Sequence, residues 1–306
     1  MKSNIKRELA LHSMMLPGIA LLIVFSVFPM LGIWMAFSKY QPVYGEGYFS
    51  ALFKADYVGF AFFRQIFNRP DFRQVLFNTV YISFVKITIL IVCGIIFALL
   101  LNEINFIRLK KSIQVIVFIP YFLSWVILSS VMVELLSLDG PINNAIELFG
   151  GDRVAFLADN TWFPIVLFVS ELWKNLGYEA IYFLAAITAV DLGLYEAAGI
   201  DGANRIQKCF HVTLPCIKPI IILMVLLNLG NIMNAGFEQI FSLYNEMVYE
   251  SGDILDTMSY RIGLVNSSTY QYSLGTAIGL FKSVISCLLF GIGYWFAAKK
   301  LDYKVL

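Results

Sequence analysis

Charge is scarce in this sequence: Asp, Glu, Lys and Arg make up only 14% of its 306 residues, against 59% hydrophobic and 16% aromatic. So little polar surface cannot cover a soluble globule, and the chain is expected to reside in a membrane. Histidine is rarer still, at His12 and His211, which leaves imidazole catalysis almost nothing to work with. The four cysteines, Cys93, Cys209, Cys216 and Cys287, include no pair at two-residue spacing and fall outside every segment expected to face the exterior. Neither a disulfide framework nor a metal site is expected. No Gly-x-x-x-x-Gly-Lys-[Ser/Thr] phosphate loop occurs, so nucleotide hydrolysis is not expected of this chain. A balance of 22 basic against 21 acidic residues gives no footprint for nucleic acid.

What the sequence has is apolar length. A bilayer core of about 30 Å asks for about 20 apolar residues per helix, and six stretches qualify, at 14–37, 75–101, 113–136, 162–187, 219–243 and 274–298. The first follows Lys2, Lys6 and Arg7, but it is too long for a signal-peptide core and lacks a cleavage site, so a retained span is expected. Lys and Arg in short loops mark the cytoplasmic side. They stand in the amino-terminal tail, at Arg108, Lys110 and Lys111, at Arg205, Lys208 and Lys218, and at Lys299, Lys300 and Lys304. The other side holds Arg153, Arg261 and the basic residues of the long 38–74 segment, so both termini are expected in the cytoplasm. The outer segments either carry short surface helices suited to an extracellular partner or merely connect. No internal repeat is visible, nor an unwound helix pair of the kind that announces a secondary transporter. One transmembrane domain over 1–306 is expected.

The cytoplasmic connection at 188–218 is unlike an ordinary membrane loop. From Val190 it reads VDLGLYEAAGIDGANRIQKCFHVTLPCIKP, which predicts two short helices with a bend between them. Asp191 suits an N-cap, and Gly202 stands where a turn needs positive φ or close approach. Ile206, Phe210 and Leu214 recur at four-residue spacing as one apolar stripe, and Pro215 and Pro219 are expected to redirect the chain into the fifth span. An amphipathic helix lying on lipid headgroups, anchored by Arg205, Lys208 and Lys218, is the alternative.

The segment resembles the EAA loop of ABC importer permeases, with Glu196-Ala197-Ala198, Asp201-Gly202-Ala203, Phe210 and Leu214-Pro215 at the family spacing. The wider chain is similar to the carbohydrate-uptake branch, the larger maltose-type permease and the permeases of oligosaccharide and polysaccharide uptake, through Asn78-Thr79, the run Ala98 to Glu103, and Ile119-Pro120. The resemblance implies an all-α transmembrane fold, a six-helix type I ABC importer permease with cytoplasmic coupling helices, in a bacterial cytoplasmic membrane. It implies a non-catalytic subunit working by alternating access with a second, homologous permease, two cytoplasmic ATPase subunits that bind the ATP and Mg, an extracellular binding protein and an oligosaccharide substrate. Glu196 would pair with a basic group in a groove of the ATPase, and no cofactor is implied in this chain itself.

Polar residues inside a bilayer are costly, so a face of them is a candidate pathway. On a continuous fifth helix Asn228, Asn231, Asn234 and Glu238 share a face of about 120°, and on the fourth Glu171, Lys174, Asn175 and Tyr178 share about 100°. The sugar-contacting positions of the maltose-type permease fall here on Lys174, Asn175, Tyr178, Asn231 and Asn234. Tyr178 and both asparagines agree in type, whereas Lys174 and Asn175 depart from it and suit a larger or acidic glycan. Alternatively these groups face the partner permease or form buried pairs such as Glu171 with Lys174 or Lys174 with Tyr178. Lys86, Glu134 and Lys282 are expected to find helix-packing partners, and Gly275 and Gly279 a closely packed neighbour. The rival function is an ion-coupled secondary transporter using Glu171, Lys174, Glu179 or Glu238.

Overall fold

The computed structural model describes residues 2–42, 45–265 and 269–300, and among them helices dominate and no strand longer than one bridge occurs. Five helices are long and apolar enough to cross a membrane, and the bent pair Trp162–Thr188 and Leu192–Ile200 supplies a sixth span. The chain divides into two compact units, Met1–Arg69 with Ser259–Phe281, and Pro70–Met258 with Lys282–Leu306.

In the first unit, α1 (Lys2–Leu22) runs on through a π turn (Ile23–Val27) and a 3-10 stretch (Phe28–Phe37). Its apolar side chains are exposed from Met14 to Trp34, as a lipid-facing span requires. The short helices Tyr48–Lys54 and Ala61–Phe67 pack on its Phe28–Phe37 stretch, with Leu52 buried beside Tyr40. The Ser273 hydroxyl accepts from the Tyr40 N–H at 3.1 Å and donates to the Ser38 carbonyl at 2.8 Å. Gly275 does pack closely, and its neighbour is this chain's own Gly263, whose Cα would lie 2.9 Å from a Cβ added at Gly275.

The second unit is built on α2 (Phe72–Asn102). It continues through α3 (Ile107–Phe118), α4 (Trp125–Leu136), α5 (Pro141–Leu148), α6 (Trp162–Thr188), α7 (Leu192–Ile200), α8 (Arg205–Gly230) and α9 (Phe237–Leu243). The final helix, α10 (Gln271–Lys300), ends in it. Two apolar clusters lie on either side of a polar layer: Ile82, Phe163, Leu167 and Ile240 on one side, Ile91, Ala98, Ala180 and Phe183 on the other. Lys86, Glu171 and Lys174 fall between them in sequence. Asn78 and Thr79 seat the segment after α9, Asn78 donating to the carbonyls of Glu250 and Asp253 at 2.9 and 3.1 Å and Thr79 accepting from the Leu255 N–H at 2.9 Å. Lys282 finds the expected packing partner in Asp256, 2.6 Å from each carboxylate oxygen.

Two spans are not the continuous helices their hydropathy predicts. The third breaks at Ile119–Phe122, a 3-10 turn, and resumes at Trp125 behind Ser124, whose side chain accepts from the Ile127 N–H. Pro120 is the cause, since its ring excludes the preceding turn and it has no N–H to give. The fifth ends at Gly230, unwinds over 231–236 and restarts after Gly236, whose φ is +89°. Asn231, Asn234 and Gly236 are residues that end helices. In the connection before it, α8 runs unbroken from Arg205 through Pro215 and Pro219 to Gly230, so these prolines do not redirect the chain. A π turn at Cys209–Thr213 widens the helix ahead of Pro215 and accommodates its ring. Glu134 is exposed near the end of α4 and is not packed within this chain.

Candidate functional site

The first candidate surface is α7 and the turn after it. α6 and α7 meet at a bend of 68°. Asp191 caps α7, accepting from the Gly193 N–H at 2.9 Å. The other end closes by a double hydrogen bond: the Gly202 N–H donates to the Gly199 carbonyl at 3.1 Å and the Ala203 N–H to the Ala198 carbonyl at 2.9 Å, with Gly202 at φ +79°. That arrangement stops a helix sharply and satisfies its last carbonyls. Asn204 and Gln207 then start α8 with a reciprocal capping box, a signal legible as Asn-x-x-Gln that apolar periodicity alone passes over. Tyr195 ties α7 to α8 through Thr213 at 2.9 Å, and Arg205 reaches Glu103 at 3.3 Å.

This surface exposes what docking needs. Glu196, Ala197, Asp201 and Gly202 are exposed, with Ala198 and Ala203 half-buried. Around them Leu192, Ile200, Ile206 and Phe210 are 73%, 88%, 71% and 62% exposed. Phe210, Leu214 and Pro215 belong to the continuous α8, where Leu214 is half-buried and Pro215 exposed, instead of a second separate helix.

The second candidate surface lies midway along α6. Lys174 is buried, and its ammonium donates to the Tyr121 carbonyl at 3.0 Å, the Pro120 carbonyl at 3.4 Å and the Leu123 carbonyl. The break in the third span leaves the Tyr121 and Leu123 carbonyls without helical partners, while the Pro120 carbonyl also accepts from the Leu123 N–H at 3.2 Å. Neither expected pair, Glu171 with Lys174 or Lys174 with Tyr178, is made. Glu171 instead faces Lys86 at 3.4 Å and accepts from the Asn175 amide. Tyr178 stacks flat on Tyr121, centroids 4.2 Å apart at 3°, and its hydroxyl meets that of Tyr182 at 2.5 Å. Tyr121 and Tyr182, which the sequence pattern does not single out, complete an aromatic platform: Tyr182 stands one turn along α6, and Tyr121 comes from the break in the third span.

The expected face of the fifth helix does not exist as a face, because the helix stops between its members. The Asn228 amide donates to the Met224 carbonyl at 2.9 Å and the Asn231 amide to the Leu227 carbonyl at 3.3 Å. Asn234 stands exposed in the unwound segment and Glu238 exposed in the first turn of α9, within electrostatic reach of Lys174. Glu179 is buried against Gly94 of α2, one carboxylate oxygen having no hydrogen-bond partner among the described residues. No cluster of metal-ligating side chains occurs among the described residues.

Residues 90–301 match the family described as binding-protein-dependent transport system inner membrane component. The chain is 36% identical to Protein LplB of Bacillus subtilis (strain 168) over 304 residues, covering 99% of this chain and 92% of that one. It is 38% identical over 280 residues to the polygalacturonan/rhamnogalacturonan transport system permease protein YteP of the same organism, covering 91% and 84%. Among solved structures, a chain of a bacterial alginate ABC transporter in complex with alginate pentasaccharide-bound periplasmic protein superposes with a TM-score of 0.88 at 33% identity, covering 100% of this chain and 99% of that chain.

Proposed function

Since the chain belongs to the family of binding-protein-dependent transport system inner membrane components, we propose that it is the permease through which an ABC importer takes up oligosaccharide fragments of an acidic polysaccharide. It is a multi-pass membrane subunit and not itself an enzyme. Both termini lie in the cytoplasm; a second, homologous permease completes the path, and two ATPase subunits holding ATP and Mg act on α7. The ion-coupled alternative has nothing to support it.

The observation that carries the reading is the geometry of α7. A short, capped helix set at 68° to α6, with small residues and Glu196 exposed among apolar knobs, is a rigid plug for a groove in another protein. Because Tyr195 ties α7 to α8, and Arg205 of α8 reaches Glu103 just past the end of α2, a push on α7 travels into the spans as a rigid movement. On the path side, the Tyr121, Tyr178 and Tyr182 rings offer apolar faces to sugar rings, while Asn175, Asn231 and Asn234 offer neutral donors and acceptors. Lys174 supplies no free cation, because its ammonium is used by carbonyls. The acidic cargo is supported by the relatives that transport polygalacturonan/rhamnogalacturonan and alginate.

The test is uptake of labelled oligogalacturonates and of neutral oligosaccharides by cells with and without this chain. Uptake that needs the chain and stops on ATP depletion with the ion gradient maintained is expected; persistence without ATP overturns the reading. Asn231→Ala combined with Asn234→Ala is expected to raise the uptake KM about ten-fold, equivalent to about 1.4 kcal/mol of lost binding, without loss of the assembled complex. Unchanged KM removes these residues from the path.

The binding protein docks outside, and α5 is its landing point. Leu148 and Phe149 at its tip are 86% and 93% exposed. Arg153 braces the tip against Asp139 at 2.5 Å and Glu147 at 2.9 Å, and Asn143 bridges Ser137 and Val154. Phe149→Asp is expected to raise the binding-protein concentration for half-maximal stimulation of ATP hydrolysis about ten-fold, or about 1.4 kcal/mol. An unchanged titration curve rejects this landing point.

A further inference from the structure

Lys86 sits near the middle of α2 with 6% of its side chain exposed, a costly position for a charge inside a membrane. Its ammonium has three hydrogens to give, and three acceptors surround it. The Ala235 carbonyl is 2.7 Å away, the Gln239 side-chain oxygen accepts a short hydrogen bond, and Glu171 Oε2 lies at 3.4 Å. Gln239 is itself held, its amide donating to the Leu167 carbonyl at 2.9 Å and to Ser170 Oγ at 2.7 Å.

Each acceptor has a distinct origin. Ala235 belongs to the unwound segment between α8 and α9, where the backbone carbonyls have lost their helical partners and a bilayer offers no water to replace them. Gln239 is in the first turn of α9 and Glu171 on α6. One side chain from α2 therefore fixes the break, the restart of the helix and the strut beside them. Room at the joint is tight: a Cβ added at Gly236 would lie 3.0 Å from the Lys86 nitrogen. A methionine of similar length would leave all three acceptors without this donor, so the lysine is matched to polar groups and not to apolar packing.

We propose that Lys86 is a positioning residue of the translocation path: it holds the unwound segment 231–236 and so sets where Asn231, Asn234 and Glu238 stand, without touching the cargo. The link to cargo rests on the function proposed above; the link to backbone shape does not. Lys174 does the corresponding work at the break in the third span, which makes α6 the common frame for both discontinuities.

The experiment reads shape and transport separately in the full complex. Asn234→Cys is introduced after Cys93, Cys209, Cys216 and Cys287 are replaced by alanine, and its rate of reaction with a membrane-impermeant maleimide is measured. Lys86→Met is expected to change that rate about ten-fold and Lys86→Arg much less, while a control thiol from Leu148→Cys is unaffected. In uptake, Lys86→Met is expected to raise KM about ten-fold with the maximal rate within about two-fold. An intact complex with an unchanged labelling rate overturns the proposal. If Lys86→Met does not assemble, Lys86→Met combined with Glu171→Gln, which removes the carboxylate charge left without its partner, carries the same test, and unchanged labelling there overturns it equally. A parental chain that imports none of the glycans counts against the proposed cargo, while the labelling rates still decide whether Lys86 shapes the backbone.

Discussion

Gly202→Val stops uptake, by about 100-fold or more, in a complex that stays assembled in the membrane and continues to hydrolyse ATP. The residue holds φ +79°, and a Cβ built there meets no atom within 4 Å. Steric collision is therefore not the cause; the cost is conformational. The left-handed region costs a non-glycine residue about 1–2 kcal/mol, and a β-branched side chain is least able to tolerate it. The turn relaxes instead, and with it go the two hydrogen bonds from Gly202 to Gly199 and from Ala203 to Ala198 that end α7. A helix of nine residues then keeps its fold but loses its direction relative to α8, and a plug that transmits force by direction transmits none. Gly202→Asn is the control, because asparagine accepts the left-handed conformation, and it is expected to retain most uptake. The measurement is uptake and ATP hydrolysis on the same preparation. Wild-type uptake by the valine variant would remove α7 from the coupling path.

The coupling turn was legible in the sequence because its signals are local. A cap at Asp191, a glycine after Asp201 and a reversal of chain direction are each decided by residues within a turn of one another. The second, fourth and sixth spans were legible for a similar reason, since long apolar runs give helix ends to within a few residues. The two breaks were not, although Pro120 and the Asn231 to Gly236 segment spell them out. A window of about 20 residues averages a six-residue interruption into its apolar flanks, and the 100° rule for shared faces then extrapolates across a gap where no helix exists. Lys174 shows the further consequence. Its partners are carbonyls that become available only once the third span breaks, so a reading built on unbroken spans assigns its charge to a glutamate, a tyrosine or a substrate. Pairings between distant segments, such as Lys86 with Ala235, leave no periodic trace at all.

Gly177→Val removes the assembled complex from the membrane, where Gly202→Val does not. Gly177 lies on the face of α6 that meets α3, and a Cβ there would stand 2.7 Å from the Val117 carbonyl oxygen, 2.9 Å from its carbon and 3.0 Å from the Phe118 Cα. All three are backbone atoms, so no side-chain rotation relieves the clash and α3 has to move away. Overpacking of this kind costs about 1–3 kcal/mol by itself. The damage extends because the same stretch of α6 presents Lys174 and Tyr178 to the same break. Separation withdraws the Pro120, Tyr121 and Leu123 carbonyls from a buried ammonium and parts the Tyr121–Tyr178 stack. A buried charge stripped of its partners costs about 3–5 kcal/mol, a large fraction of the whole stability of a typical protein. Gly291→Val is the matched control, since a Cβ there meets nothing within 4 Å. Membrane abundance and the thermal midpoint in mild detergent are the readouts, and a Gly177→Val chain with normal values of both would show that α3 and the break after it are not fixed by α6. Because Gly177 stands between Lys174 and Tyr178, one contact decides whether the third span can break and still be held in place. The aromatic platform of the path exists only if it can.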